Sequence, residues 1–128
     1  EIGVRLVGSE MCIRDRGIIH SGLSPLLMGW LVAVAIRLAT GSATVATVTS
    51  AGILEPLAAT MVGPHAALLV LAVGCGSVFF SHVNDAGFWL IKEYFNASVG
   101  DNIKSWSLME TVLSVTGILL VLLTSVLV

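Results

Sequence analysis

Residues 64–95 read PHAALLVLAVGCGSVFFSHVNDAGFWLIKEYF, an apolar arm followed by a polar centre, SHVNDAG (81–87), and a short second arm. As one straight helix, a segment of this length would measure about 48 Å, whereas the hydrocarbon core of a bilayer is about 30 Å thick. The polar centre supplies a break. The pattern therefore predicts a discontinuous transmembrane helix whose outer arm carries Trp89 and Tyr94, aromatic residues typical of the membrane surface.

The composition of the whole chain excludes two classes of protein. Of 128 residues, 56% are hydrophobic and 11% are charged, and the mean hydropathy is +1.00, which excludes a water-soluble enzyme. The net charge of −2 excludes the basic surface that nucleic-acid binding requires, so we expect no nucleic-acid partner. The expected partner is the lipid bilayer, and the fold class is an all-α, polytopic membrane protein.

The N-terminal segment differs from the rest of the chain. Residues 1–16, EIGVRLVGSEMCIRDR, are rich in charge and lack the apolar core and cleavage site of a signal peptide. Residues 7–16 resemble a translated sequencing-adaptor peptide. We predict that residues 1–16 are a non-native extension and that 17–128 are the C-terminal part of a longer membrane domain whose N-terminal part is missing. The alternative is a native charged cytoplasmic tail.

Residues 23–54 form another unit that is too long for one straight span. Its centre, TGSATVATVTSAG (40–52), consists of small and hydroxyl residues, and the unit ends before Glu55 and Pro56. Non-helical backbone at membrane depth must face protein or a water-filled cavity. The pattern predicts a re-entrant helical hairpin over 23–54 with its tip near Gly41. A second interpretation is that the small residues only allow helices to pack closely.

The last part of the chain contains two segments. Residues 96–107 are polar, and Ser98 and Asp101 have the spacing of a capping box, which predicts a short interfacial segment. Residues 108–128 carry Glu110 as their only charge and predict a final transmembrane helix. We interpret this helix as a lipid-facing anchor.

Polar side chains inside these apolar segments are the functional signal, because an ionisable group in a bilayer is costly. Asp85 is the strongest candidate, with Ser81, His82 and Asn84 beside it. A carboxyl group there can take up and release a proton during transport. The alternative is that Asp85 caps the second half of the broken helix. His82 and Asp85 lack a third ligand, so we predict no metal site.

Arg37 lies between the apolar first arm and the small-residue tip of the hairpin. A guanidinium group can hold a carboxylate through two hydrogen bonds, so an anionic substrate, Asp85 or Glu55 are alternative partners. A half-helix that starts at the tip would present its positive dipole end to an anion. The candidate residues for binding substrate and proton are Arg37, Thr40, Gly41, Ser42, Thr44, Ser81, His82, Asn84 and Asp85.

Three stretches resemble one family. RLATGSATVATVTSAG (37–52), GCGSVFFSHVNDAGFWLIKEYF (74–95) and KSWSLMET (104–111) are similar to the C-terminal region of the gluconate permease family, bacterial gluconate:proton symporters. The resemblance covers residues 21–128. It implies a multi-pass carrier in the bacterial inner (plasma) membrane that imports gluconate or a related sugar acid, driven by the proton gradient with no other cofactor.

The same resemblance extends to a wider superfamily of ion transporters, whose inverted repeats each contain a re-entrant hairpin and a broken helix. It implies that the two breaks meet near the bilayer midplane and that half-helix N-termini face the substrate carboxylate. Other interpretations are a channel or exchanger subunit for another small anion, an enzyme using His82 and Asp85 as an acid–base pair, and an inactive structural fragment. A homo-oligomer is compatible with all of them.

Overall fold

The computed structural model describes residues 24–127, so the extension predicted over residues 1–16 lies outside it. Every regular element in the described part is a helix, which confirms the all-α prediction. The elements are α1 (Pro25–Thr40), α2 (Ala43–Thr60), α3 (Pro64–Ser77), α4 (Ala86–Tyr94) and α5 (Val99–Leu127). Within α5, a π-helical segment, Ile103–Ser107, separates a first turn from the long α-helical part.

α1 and α2 form a helical hairpin, as predicted. Ser24 caps α1 by accepting a hydrogen bond from the Leu26 backbone N–H, and Pro25 occupies the first turn, where its missing N–H is not needed. α1 ends at Gly41, whose φ of 69° is left-handed and whose N–H donates to the Arg37 carbonyl. Ser42 then caps α2, so the turn of the hairpin consists of only two residues.

The second arm of the hairpin is longer than the sequence predicts. α2 continues through Pro56 to Thr60, whereas we expected the unit to end before Glu55. A proline inside a helix costs about 3 kcal/mol because it removes a backbone hydrogen bond and crowds the preceding turn. Leu54 on one side of the proline is buried, and Leu57 on the other packs against the same apolar cluster. This packing offsets the cost and lets the helix continue.

The break predicted in residues 64–95 is present. α3 ends at Ser77 and α4 begins at Ala86, with no helix between them. The 14 residues of α3 and the nine of α4 would measure about 21 Å and about 14 Å, so neither could cross a bilayer alone. Within the break, the Val83 carbonyl accepts a hydrogen bond of 2.8 Å from the Trp89 indole, which fixes the start of α4 against the loop.

The predicted interfacial segment and final span are one helix. α5 has 29 residues, its most apolar 18-residue stretch has a mean hydropathy of 2.0, and among the described residues it is the only helix long and apolar enough to cross a membrane. Ser98 caps its first turn by accepting from the Asp101 N–H. The sequence pattern ended the polar segment at residue 107, but a π-helical turn lets the helix continue there without a break.

α3 lies against α1, α2 and α5 at the centre of the packing. One apolar cluster joins α1, α3 and α5 through Leu26, Leu68, Leu69, Ala72, Ile118 and Val121. α1 approaches α3 most closely at Gly76, where an added Cβ would lie 2.5 Å from the Trp30 carbonyl oxygen. The Trp30 indole also donates to Ser114 on α5, at 3.0 Å. A small residue of α3, Gly76, therefore allows α1 and α3 to pack closely.

This close approach gives a testable prediction. Gly76→Ala should lower the melting temperature of the protein in detergent, because the new methyl group would collide with the Trp30 carbonyl. Gly74→Ala is the matched control, since an added Cβ there meets nothing within 4 Å and alanine is favoured over glycine in a helix by about 1 kcal/mol. Equal melting temperatures for the two variants would contradict the close contact of α1 with α3.

Candidate functional site

The tip of the hairpin touches the break of the other helix. A Cβ added to Gly41 would lie 2.2 Å from the Asn84 carbonyl oxygen, so only glycine fits this contact. The Asn84 side-chain amide donates to the Ala39 carbonyl at 3.3 Å, a contact between residues 45 positions apart in the chain. The meeting of the two breaks that the family resemblance implies is therefore present.

Arg37 binds groups on both sides of this junction. Its side chain is 4% exposed, and Nη2 lies 2.5 Å from Asp85 Oδ2 in the break. Nη1 donates to the Gly41 carbonyl at the hairpin tip, at 2.8 Å. Glu110 on α5 adds a second carboxylate, with Oε2 3.6 Å from Nη2. One guanidinium thus connects the tip, the break and the long helix.

Asp85 serves both as an ion-pair partner and as a helix cap. Its Oδ1 accepts a hydrogen bond of 2.9 Å from the Gly87 N–H, which caps α4. Its Oδ2 accepts from Arg37 and from the Ser81 hydroxyl. The Ser81 carbonyl in turn accepts from the Ser107 hydroxyl on α5. The capping role considered from the sequence is present, together with a charge partner that holds the cap in place.

An open cavity of about 490 Å³ lies at this junction. Small-molecule sites span roughly 300–1,000 Å³, so the cavity suits a small ligand. The first turns of α2 and α4 both line it, and each helix N-terminus carries about half a positive charge. Of the residues predicted to bind substrate and proton, the cavity is lined by Arg37, Thr40, Gly41, Ser42, Thr44, Asn84 and Asp85.

Two predicted residues lie outside the cavity lining. Ser81 is fully buried behind Asp85 and supports its carboxylate. His82 stacks on the ring of Phe80, and its Nδ1 lies 3.2 Å from the Phe80 carbonyl oxygen. In a continuous helix, the three-residue spacing of His82 and Asp85 would place both on one face. Because the chain is not helical there, the three-residue spacing does not bring the imidazole into the cavity.

The sequence analysis missed five residues of the cavity lining, and two of them, Trp106 and Glu110, have polar side-chain atoms. Both come from α5, one turn apart, a spacing that places them on the same face. The Asn102 side-chain amide, fully buried, donates to the Phe88 carbonyl at 2.8 Å and holds α5 against α4. One signal was available: Glu110 is the only charge in an apolar span, and an ionisable residue in such a span indicates function.

Three buried polar atoms at this junction have no hydrogen-bond partner: Arg37 Nε, Trp106 Nε1 and Glu110 Oε2. All three residues line the cavity. Buried polar groups in proteins are paired in about 90% of cases or more, so the clustering of three exceptions indicates a place for a ligand. The residues that line the cavity therefore hold two donors and one acceptor without partners. Among the described residues, no group of three His, Cys, Asp or Glu side chains is arranged to hold a metal ion.

A hairpin and a broken helix that meet at a polar cavity beside a long apolar helix define the class: this is a segment of a membrane permease. The chain matches the GntP family permease profile over residues 14–127 and belongs to that family. The resemblance seen in residues 37–52, 74–95 and 104–111 is confirmed. Membership in a family of permeases also favours a carrier over the alternative of an enzyme that uses His82 and Asp85 as an acid–base pair.

Three relatives illustrate the relationship. A gluconate permease of Pseudomonas aeruginosa is 56% identical over 107 residues, covering 84% of this chain and 24% of the relative. A high-affinity gluconate transporter of Escherichia coli is 58% identical over 99 residues, covering 77% and 22%. The Gnt-II system L-idonate transporter of Escherichia coli is 54% identical over 100 residues, covering 78% and 23%. The chain spans about a quarter of the length of these relatives, and no solved structure matches it.

The contact between tip and break gives a second prediction. Gly41→Ala should separate the two, because alanine at a left-handed φ costs about 1–2 kcal/mol and its methyl group would overlap the Asn84 backbone. We expect faster amide hydrogen exchange in residues 78–85, measured by mass spectrometry. Gly52→Ala, where an added Cβ meets nothing within 4 Å, is the control. If both variants exchange at the same rate, the contact does not hold the break in place.

Proposed function

We propose that this chain forms part of the substrate site of a secondary transporter that imports gluconate or a related sugar acid together with protons. The observation that carries the proposal is the buried guanidinium of Arg37, which has an Nε without a partner and belongs to a residue that lines a cavity bordered by two helix N-termini. The family relationship supports it, since two of the relatives described above are named for gluconate.

The cavity suits the two chemical features of a sugar acid. A carboxylate would accept hydrogen bonds from Arg37 Nε and Trp106 Nε1, and the N-terminal ends of α2 and α4 favour negative charge there. The hydroxyl groups of the acyl chain would meet the polar side chains of Thr44 and Asn84, both exposed in the cavity. A relative named for L-idonate supports a class of sugar acids rather than one compound.

The charges at the site support coupling of transport to protons. Arg37 faces two carboxylates, those of Asp85 and Glu110, so an entering anion meets a site that already carries excess negative charge. Uptake of a proton removes this excess and favours anion binding. The proton gradient is then the driving force, and no further cofactor is proposed.

We place the transporter in the bacterial inner membrane as a multi-pass protein. Its other helices would close the cavity, and a homo-oligomer is a compatible assembly.

The test uses a chimeric permease, defined as a full-length gluconate permease in which residues 24–127 replace the matching segment. Proteoliposomes with an acidic exterior should accumulate labelled gluconate, and an uncoupler should abolish the accumulation because it collapses the proton gradient. Unlabelled idonate should compete, whereas glucose, which lacks the carboxylate, should not.

Two results would contradict the proposal. Accumulation that persists with the uncoupler would show that uptake is not coupled to protons. Equal competition by glucose and idonate would show that the carboxylate is not recognised.

A further inference from the structure

The two carboxylates beside Arg37 differ in how many hydrogen bonds they accept. Asp85 accepts hydrogen bonds from Arg37, Ser81 and the Gly87 backbone. On Glu110, Oε2 is buried and accepts none. Its nearest positive group is Arg37 Nη2 at 3.6 Å, and the Ser81 backbone N–H also lies beside the Glu110 carboxylate. The two side chains are similarly shielded, with exposures of 14% and 15%. Glu110 is therefore the carboxylate that gains most from binding a proton.

Charge balance leads to the same residue. With both carboxylates ionised, one guanidinium and two carboxylates leave the cavity with one excess negative charge. Protonation of Glu110 would neutralise the cluster and turn an acceptor without a donor into an O–H donor. Protonation of Asp85 instead would weaken the ion pair with Arg37 and the cap on α4. The structure thus separates a structural carboxylate from one that is free to titrate.

We propose that Glu110 carries the co-transported proton, and this proposal rests on the proposed function above. In the outward-facing state, the Glu110 carboxylate takes one proton from the medium and becomes a neutral carboxyl group. The substrate carboxylate then binds to Arg37 Nε and Trp106 Nε1, the two donors without partners. After the transporter reorients, the substrate leaves and Glu110 releases the proton to the cytoplasm, so this site moves one proton with one anion.

The backbone around Glu110 links it to the broken helix. The π-helical segment Ile103–Ser107 ends just before it, and π-helical turns recur at functional sites. The Ser107 hydroxyl donates to the Ser81 carbonyl in the break. A rearrangement of the break would therefore move the residues beside Glu110, which is the link that alternating access requires between proton binding and conformational change.

The titratable neighbours of Glu110 are few. Arg37 reaches it from α1, and Asp85 lines the same cavity from the break. Neither α2 nor α3 places a titratable side chain in the cavity lining. On α4, Lys92 and Glu93 pair with each other at 2.8 Å. Among the described residues, Arg37 is the only side chain of opposite charge within 4 Å of the Glu110 carboxylate.

The experiment compares Glu110→Gln with Glu93→Gln in the chimeric permease. Glu93 is an exposed glutamate outside the cavity, so the same chemical change there should leave transport as in the parent. We expect Glu110→Gln to lose accumulation driven by a pH gradient by at least tenfold. It should retain counterflow, the exchange of labelled for unlabelled gluconate without a gradient, because glutamine mimics the protonated carboxyl group.

Two outcomes of this transport assay would overturn the proposal. Accumulation by Glu110→Gln at the level of the parent would show that another group carries the proton. Loss of counterflow together with accumulation would show that Glu110 acts in substrate binding or folding rather than in proton transfer.

A spectroscopic measurement keeps this test separate from the proposed function. Infrared difference spectra between mildly alkaline and mildly acidic pH should contain a carbonyl band of a newly protonated carboxyl group. The band should be missing in Glu110→Gln and present in Glu93→Gln. If the parent chimera fails to accumulate gluconate, the proposed function fails, and this band still reports whether Glu110 takes up a proton. The same band in both variants would overturn the assignment.

Discussion

The guanidinium of Arg37 is the interaction on which the arrangement of this chain depends. It joins the tip of one broken element to the break of the other, through the Gly41 carbonyl and the Asp85 carboxylate. A buried charge that loses its partner costs about 3–5 kcal/mol in proteins, so neither partner is free to leave. Because the two breaks expose backbone that no regular helix satisfies, this ion pair also explains how non-helical chain is held inside an apolar bundle.

Around this ion pair, structural and functional roles are divided among different side chains. Asp85 satisfies Arg37 and the first turn of α4 at once, and Ser81 supports it from behind. Small residues permit the close contacts, at Gly76 between helices and at Gly41 between tip and break. The polar atoms that remain without partners belong to three residues that line the cavity, Arg37, Trp106 and Glu110. The site is therefore held in shape by one set of groups and left open for a ligand by another.

Much of this could be predicted from residues 37–52 and 81–87. Segment length measured against bilayer thickness predicted the hairpin and the broken helix, and polar residues in apolar surroundings predicted Arg37 and Asp85. Two features could not be predicted. The course of α2 through Pro56 depends on packing of Leu54 and Leu57 against other helices, and the π turn in α5 leaves no local signature. Hence Glu110, at the start of a helix interpreted as a lipid-facing anchor, was not among the predicted site residues, and His82 looked like a neighbour of Asp85.

The most direct test of the central claim is a double-mutant cycle on the ion pair, using Arg37→Met and Asp85→Asn in the full-length chimera. Free energies of unfolding would be measured by titration with sodium dodecyl sulfate in mixed micelles. If the pair fastens the tip to the break, each single variant should lose about 3–5 kcal/mol, and the double variant should lose at least about 2 kcal/mol less than their sum. Losses that add to within about 0.5 kcal/mol would contradict the account.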